Sequence, residues 1–283
     1  MRLASFIMDG IVKYGIQVGE KFADLGAAGF PQTMRALIEA GPETWKAAEK
    51  AARSGKCPML TVEPAMLAAP VTNPSKIIAI GLNYRDHALE QNVPLPKSPL
   101  IFAKFPSSIN SPYGQISWSP AVTTEVDLEV ELGVVIGRRA RRVSETDALN
   151  YVFGYTVLND VTARDLQHGD KQWVRGKSLD TFCPTGPVIV TADEIPDPQK
   201  LKIRSQVNEF VMQDSSTAQM VFGVRELISY CSQAFTLEPG DLIATGTPNG
   251  VGVYRHPPMY LKDGDLVVTE VEGIGRLENV VKL

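Results

Sequence analysis

One ten-residue stretch, Leu128 to Gly137 (LEVELGVVIG), constrains this chain more than any other. Successive side chains on a strand point to opposite faces, so Leu128, Val130 and Leu132 go one way and Glu129 and Glu131 the other. With a rise of roughly 3.3 Å per residue, the two glutamates lie about 7 Å apart at their alpha carbons. Carboxylates that close stay ionised together only in water or around a cation. The strand alone leaves both readings open, because alternating glutamates are common on the solvated face of antiparallel sheets.

A second acidic signal bears on the choice. In Tyr155-Thr156-Val157-Leu158-Asn159-Asp160-Val161, Asp160 falls at the end of an apolar strand, where functional side chains collect, and not on a polar face. Glu129, Glu131 and Asp160 form an oxygen-rich set with no Cys or His beside it, which suits Mg²⁺, Mn²⁺ or Ca²⁺ better than Zn²⁺.

The remaining composition narrows the function classes. A chain of 283 residues buries a core without help from disulfides. Its three cysteines, Cys57, Cys183 and Cys231, are an odd number without metal-ligand spacing, which argues for a reducing compartment. Net charge is −4, and the basic residues are scattered apart from Arg138, Arg139, Arg141 and Arg142, so no nucleic-acid face is drawn. A small molecule is the expected partner. Asp9 and Lys13 interrupt the apolar run an export signal needs. No run of about 18 apolar residues occurs, so no membrane span is expected. These features together place the protein in the cytoplasm.

Along the chain, residues 1 to 25 alternate apolar and polar around Gly10, Gly15 and Gly19, predicting short strands joined by hairpins. Met34, Leu37 and Ile38, then Trp45, Ala48 and Ala52, recur at helical spacing on either side of Gly41-Pro42. Prolines 58, 64, 70 and 74 then lead into KIIAIGLNY, read as the first strand of the main body. The boundary is placed at residue 70, between a small α+β domain (1–70) and a catalytic-size domain (71–283). Beyond it, YVFGYTVLND, GPVIVT, LIATGTP and DLVVTEVEGIG predict further strands, and one amphipathic helix is expected from Val224 to Phe235. The fold class is α+β, mainly β.

Four segments in order, EVELGVVIG, NDVTARDLQ, GKSLDTFCPTGP and GDLIATGTPNGVG, resemble the fumarylacetoacetate hydrolase superfamily over residues 76–281. GLNYRDH, FAKFPSSI and VYRHPPMYLKDGD resemble its branch called fumarylacetoacetate hydrolase domain-containing protein 2. The resemblance implies a mixed β-sandwich roll, usually paired into homodimers, and a Mg²⁺ or Mn²⁺ ion on Glu129, Glu131 and Asp160. It also implies a general base, His87, oriented by Glu90, and a lysine, Lys177, that holds negative charge on the reacting oxygen. On a helix, residues at i and i+3 share a face, so Glu90 can stabilise the protonated imidazole.

Arg164 and Gln167, on what reads as a turn after Asp160, are assigned substrate contacts by the same resemblance, with an Arg164–Asp165 ion pair as the structural alternative. Gly246 to Gly252 lacks the Gly-Lys-Ser/Thr ending of a phosphate loop and reads as a tight turn offering Thr247 and backbone amides to the substrate. Tyr84 and Lys104 are expected in the pocket wall. His168 and His256 are taken as structural. The chemistry these residues imply is activation of a small 2-oxo acid, first as hydrolytic C–C cleavage of an acylpyruvate. The alternatives are tautomerisation or decarboxylation of oxaloacetate, or a metal-binding homologue without turnover.

Overall fold

The computed structural model describes all 283 residues. The chain opens as a meander of β1 (Arg2–Met8), β2 (Ile11–Val18) and β3 (Lys21–Asp24). Asp9 and Gly10 make the first turn with φ of 51° and 75°, the backbone that a two-residue hairpin loop requires. Helix α1 (Met34–Glu39) starts where the Thr33 hydroxyl accepts the Ala36 N–H at 3.1 Å. After Gly41, α2 (Pro42–Arg53) begins on its proline, whose missing N–H costs nothing there. Short strands β4 (Met59–Leu60) and β5 (Leu67–Ala68) complete this part.

The body runs through β6 (Ile77–Gly81), α3 (Arg85–Glu90), β7 (Leu100–Lys104), β8 (Ile109–Asn110), β9 (Val126–Asp127), β10 (Val130–Ile136) and β11 (Val152–Asn159). It continues with β12 (Thr162–Ala163), α4 (Arg164–Asp170), α5 (Val174–Lys177), β13 (Cys183–Thr191), β14 (Lys202–Val207) and β15 (Phe210–Ser216). Helix α6 (Val224–Ala234), β16 (Leu242–Ala244), β17 (Leu266–Val271) and β18 (Gly275–Val280) end it. The predicted strands and the α6 helix are all present, and the fold is mainly β.

Twelve strands form one mixed sheet in the order β4-β3-β2-β1-β13-β11-β10-β16-β6-β7, with β5 on β1 and β8 on β13. Only the β16–β6 and β8–β13 ladders are parallel. A four-stranded antiparallel sheet, β15-β14-β17-β18, packs beside it. A division of the chain near residue 70 remains a proposal: β1 pairs with β13, so the earlier residues extend the body's own sheet.

Strand β10 is buried along its whole length. Val130, Leu132, Val134 and Ile136 meet Ile203, Val271 and Leu277 of the smaller sheet and Leu227 and Ile228 of α6. Val135, on the opposite face, shares a core with Ile16, Leu37 and Ile38. By alternation Glu131 lies on the face of Val135, so it is embedded in a strand covered on both sides. Next to it, Gly154 lets β11 approach β13 closely, since a Cβ there would lie 2.3 Å from the Val190 carbonyl oxygen. Gly154→Ala is expected to cost about 1–3 kcal/mol by overpacking. Calorimetry should show the melting temperature lowered by several degrees; an unchanged value would mean the two strands separate locally without penalty.

Candidate metal centre and active site

The centre is built where a strand breaks. Asp127 ends β9, which pairs with β12, and Val130 begins β10, which pairs with β11, so Leu128 and Glu129 bridge two ladders. The Glu129 N–H donates to Asn159 Oδ1 at 3.0 Å, and its carbonyl accepts from the Asp160 N–H at 2.9 Å. These bonds hold the Glu129 and Asp160 backbones together. One carboxylate oxygen from each of Glu129, Glu131 and Asp160 lies within 4.8 Å of the others, and all three residues are buried. The solvated-face reading of the alternation therefore does not hold.

Three buried cations stand against these anions. Lys177 Nζ donates to Glu129 Oε2 and to Asp160 Oδ2, each at 2.8 Å. Lys104 Nζ donates to Asp160 Oδ1 at 2.6 Å and to the Lys177 carbonyl. Arg164 Nη1 reaches Glu129 Oε1 at 2.6 Å, while its Nε and Nη2 donate to Asp127 Oδ2 at 2.9 and 2.7 Å. Burial pushes Glu129 upward, but Lys177 and Arg164 override it and hold the carboxyl at about 2. Burial pulls the Lys177 ammonium down; Asp160 and Glu129 more than offset this and leave it raised.

Glu131 is treated differently. It accepts the Gly246 N–H at 2.7 Å but touches no cation. Burial, then the charges of Asp160 and Glu129, push its carboxyl well above the ordinary carboxylate range. A divalent ion among the three carboxylates supplies the missing counter-charge, so the donor set fits a hard cation.

His87, on α3, is buried, and its Nδ1 lies 2.7 Å from Glu90 Oε2. The other Glu90 oxygen accepts the Gly250 N–H at 2.8 Å, which fixes the carboxylate in turn. His87 Nε2 faces the Gln91 side-chain nitrogen at 2.7 Å. Tyr254 stands edge-on to the imidazole at 5.8 Å between ring centres. His87, Glu129, Arg164, Gln167, Lys177 and Thr247 all line one cavity of about 440 Å³.

Several placements differ from the sequence reading. Arg164 and Gln167 begin helix α4 instead of a turn, and Arg164 Nη1 also donates to Gln167 Oε1 at 3.1 Å. The ion-pair partner of Arg164 is Asp127, not Asp165, because adjacent helical residues do not face each other; Asp165 accepts from the Thr123 hydroxyl at 2.6 Å. Lys104 and Tyr84 are fully buried and do not line the cavity; Lys104 lies beneath the carboxylates as a counter-charge. The Thr247 hydroxyl is turned inward, donating to the Val130 carbonyl at 2.9 Å and accepting from Gln213 Nε2 at 2.7 Å. Its backbone N–H has no protein partner. His168, taken as structural, is exposed and lines the cavity.

Asp127 and Gln213 were missed. Asp127 accepts the Gly252 and Val253 N–H groups at 2.8 and 3.0 Å besides holding Arg164. It extends the Glu129–Glu131 alternation by one step, which was a readable signal. Gln213 comes from β15 in the other sheet, and nothing local marks it.

Residues 76–282 match the family described as fumarylacetoacetate (FAA) hydrolase C-terminal. The chain is 45% identical over 289 residues to oxaloacetate tautomerase FAHD2A, mitochondrial, of Homo sapiens, covering 99% of this chain and 91% of that one. It is 41% identical to the fumarylacetoacetate hydrolase domain-containing protein 2 homolog of Dictyostelium discoideum, with both chains covered in full. The fumarylacetoacetate hydrolase of Exiguobacterium antarcticum has a TM-score of 0.89 at 39% identity, over 100% of this chain and 99% of that one. A maleylpyruvate hydrolase of Sphingobium sp. SYK-6, in complex with manganese(II) and pyruvate, has a TM-score of 0.82 at 32% identity, with coverage of 100% and 99%. The cytoplasmic expectation is overturned by relatives named mitochondrial. It rested on cysteine usage and a missing export signal, and neither separates one reducing compartment from another.

The uncompensated Glu131 yields a signed expectation. A carboxyl whose folded pKa is raised above its unfolded value lowers stability as pH rises past the unfolded value. Without metal, Glu131→Gln should therefore raise the melting temperature at neutral pH, while the stabilisation on adding Mn²⁺ should shrink or vanish. Thermal melts in chelator and in excess Mn²⁺ check this; a full Mn²⁺ response in the variant would remove Glu131 from the ligand set.

Proposed function

This chain belongs to the fumarylacetoacetate hydrolase family, and on that premise we propose that it interconverts the keto and enol forms of oxaloacetate. The observation that carries the reading is that His87, held by Glu90, lines one cavity with Glu129 of the buried carboxylate set and with Lys177. Relatives named oxaloacetate tautomerase support this reaction ahead of acylpyruvate hydrolysis, reversing the order that the sequence suggested. The intact pair also argues against a homologue without turnover.

A Mg²⁺ or Mn²⁺ ion on Glu129, Glu131 and Asp160 would withdraw electron density from the keto oxygen and carboxylate of the bound acid. The protein moves the proton. With Nδ1–H donated to Glu90, His87 keeps Nε2 unprotonated as a base, and the Gln91 amide that faces it at 2.7 Å would give way to the substrate C–H. His87 takes a proton from C3, the C–H electron pair becomes the C2–C3 double bond, and the C2 oxygen gains the charge. Glu90 stabilises the resulting imidazolium. Lys177 Nζ and the Thr247 backbone N–H are the donors available to the oxygen. Returning the proton to that oxygen completes an isomerisation in which no atom is gained or lost.

Hydrolysis of an acylpyruvate is the second reading, favoured by the pyruvate-bound maleylpyruvate hydrolase among the similar structures. There His87 would take its proton from water attacking the C4 carbonyl, with pyruvate leaving as its enolate. The proposed assembly is a homodimer, supported by the family resemblance alone.

The test is to mix Mg²⁺-loaded protein with oxaloacetate and, separately, acetylpyruvate, following enol absorbance and pyruvate. Expected is enol–keto relaxation faster than with free Mg²⁺ and no pyruvate from oxaloacetate. His87→Ala should lower the rate about 10²- to 10⁴-fold, and Glu90→Gln should lower it with metal affinity retained. Full activity in His87→Ala would sink the proposed mechanism, and pyruvate released from acetylpyruvate without an effect on oxaloacetate would replace it with the hydrolytic one.

A further inference from the structure

The cavity over the carboxylates has two unlike ends. Its inner end carries Glu129, Arg164, Lys177 and His87. Its more accessible part, the outer end, is lined by the half-buried or exposed Leu82, Val93, Leu100, Phe102 and Trp173, with Gln91 and His168 as the polar residues among them. Trp173 stands edge-on to Phe102, with ring centres 5.2 Å apart and planes at 71°. It rests on the bare backbone of Gly81, where a Cβ would lie 2.5 Å from the indole ring. Lys177 Nζ lies over the Phe102 ring at 5.2 Å, so this one side chain joins the charged end to the aromatic end. Val93 and Leu100 are 40% and 46% exposed, which leaves the apolar rim open to a ligand.

Charge separates the two ends further. Lys177 is committed to Glu129 and Asp160, Arg164 to Asp127 and Glu129, and His87 to Glu90. His168, exposed on α4, is the one basic side chain lining the cavity that has no such partner. A second carboxylate seated on the outer wall would therefore lose hydration without gaining a buried counter-charge, whereas an apolar group there removes both itself and the wall from water.

We propose that the outer end is a subsite for an uncharged, apolar tail, so that the cavity takes 2-oxo acids with aliphatic or aryl far ends and binds them more tightly than diacids of six or more carbons, whose second carboxylate would be set on that wall. The proposal rests on the reading above for the head group only, and it widens the substrate class beyond oxaloacetate. The tail lies along Phe102 and Trp173, while the carboxylate and keto oxygens stay at the inner end.

Calorimetric titration of the Mn²⁺-loaded protein with pyruvate, 2-oxobutanoate, 2-oxohexanoate, 2-oxooctanoate and 2-oxoadipate tests it. The dissociation constant should fall about fourfold per added methylene, the value for a buried CH₂, and 2-oxohexanoate should bind more tightly than the six-carbon diacid 2-oxoadipate. In Trp173→Ala the ratio of the pyruvate constant to the 2-oxooctanoate constant should collapse toward one, and Trp173→Phe should restore part of it. Pyruvate binding with a flat or rising series overturns the subsite alone, as does tighter binding of 2-oxoadipate, which would mean that His168 reads a charged tail. Failure of pyruvate and every longer acid to bind overturns the head-group reading and the subsite together.

Discussion

Four carboxylates buried side by side are what the rest of the site is arranged to tolerate. Removing one such charge from water costs several kcal/mol even after relaxation, and the loss is recovered only by close partners of good geometry. Asp127, Glu129 and Asp160 each touch one or more of Lys104, Lys177 and Arg164, while Glu131 touches none. With all of these groups ionised the cluster carries a net charge of −1, from four acids and three bases. A divalent ion turns that to +1. The positive charge so gained would attract an anionic 2-oxo acid that the cluster at −1 repels, so electrostatics favours loading the metal before the acid.

The scaffold gives this cluster little freedom. The break between β9 and β10 sets Glu129 against Asp160, and the side chain of Asn159 holds the break open. Gln213 reaches in from the smaller sheet, accepting the Val130 N–H at 3.0 Å and the Ser205 hydroxyl at 2.9 Å, and donating to Thr247 and Pro248. The loop after β16 is tied to the proton-transfer pair by Gly250 and to Arg164 through Asp127 by Gly252 and Val253. A network in which nearly every polar atom has its partner is rigid, and preorganised donors are what stabilise developing charge most effectively.

Local periodicity made much of this readable. Alternation puts Glu129 and Glu131 on one face and an apolar run puts Asp160 at the end of β11, whereas His87 and Glu90 were legible only through the family resemblance, helical spacing adding that the two share a face. The losses have physical causes. Alternation stopped one residue short of Asp127, although the same period includes it. Arg164 was offered its chain neighbour Asp165, but its true partners lie across the fold, and only tertiary packing brings residues 127 and 164 together. Lys104 was placed near the right region and on the wrong side, because burial beneath a charge cluster leaves no local pattern. Gln213, on a different sheet, could be found only from the folded chain.

The two reactions considered for this site share their first requirement and part at one atom. Both need the head of a 2-oxo acid at the carboxylates and a free His87 Nε2. Tautomerisation puts a C3 hydrogen at that nitrogen; hydrolysis puts a water there, and a carbonyl at C4 within its reach. Gln91 now occupies the same direction at 2.7 Å, so whichever group displaces it decides the chemistry.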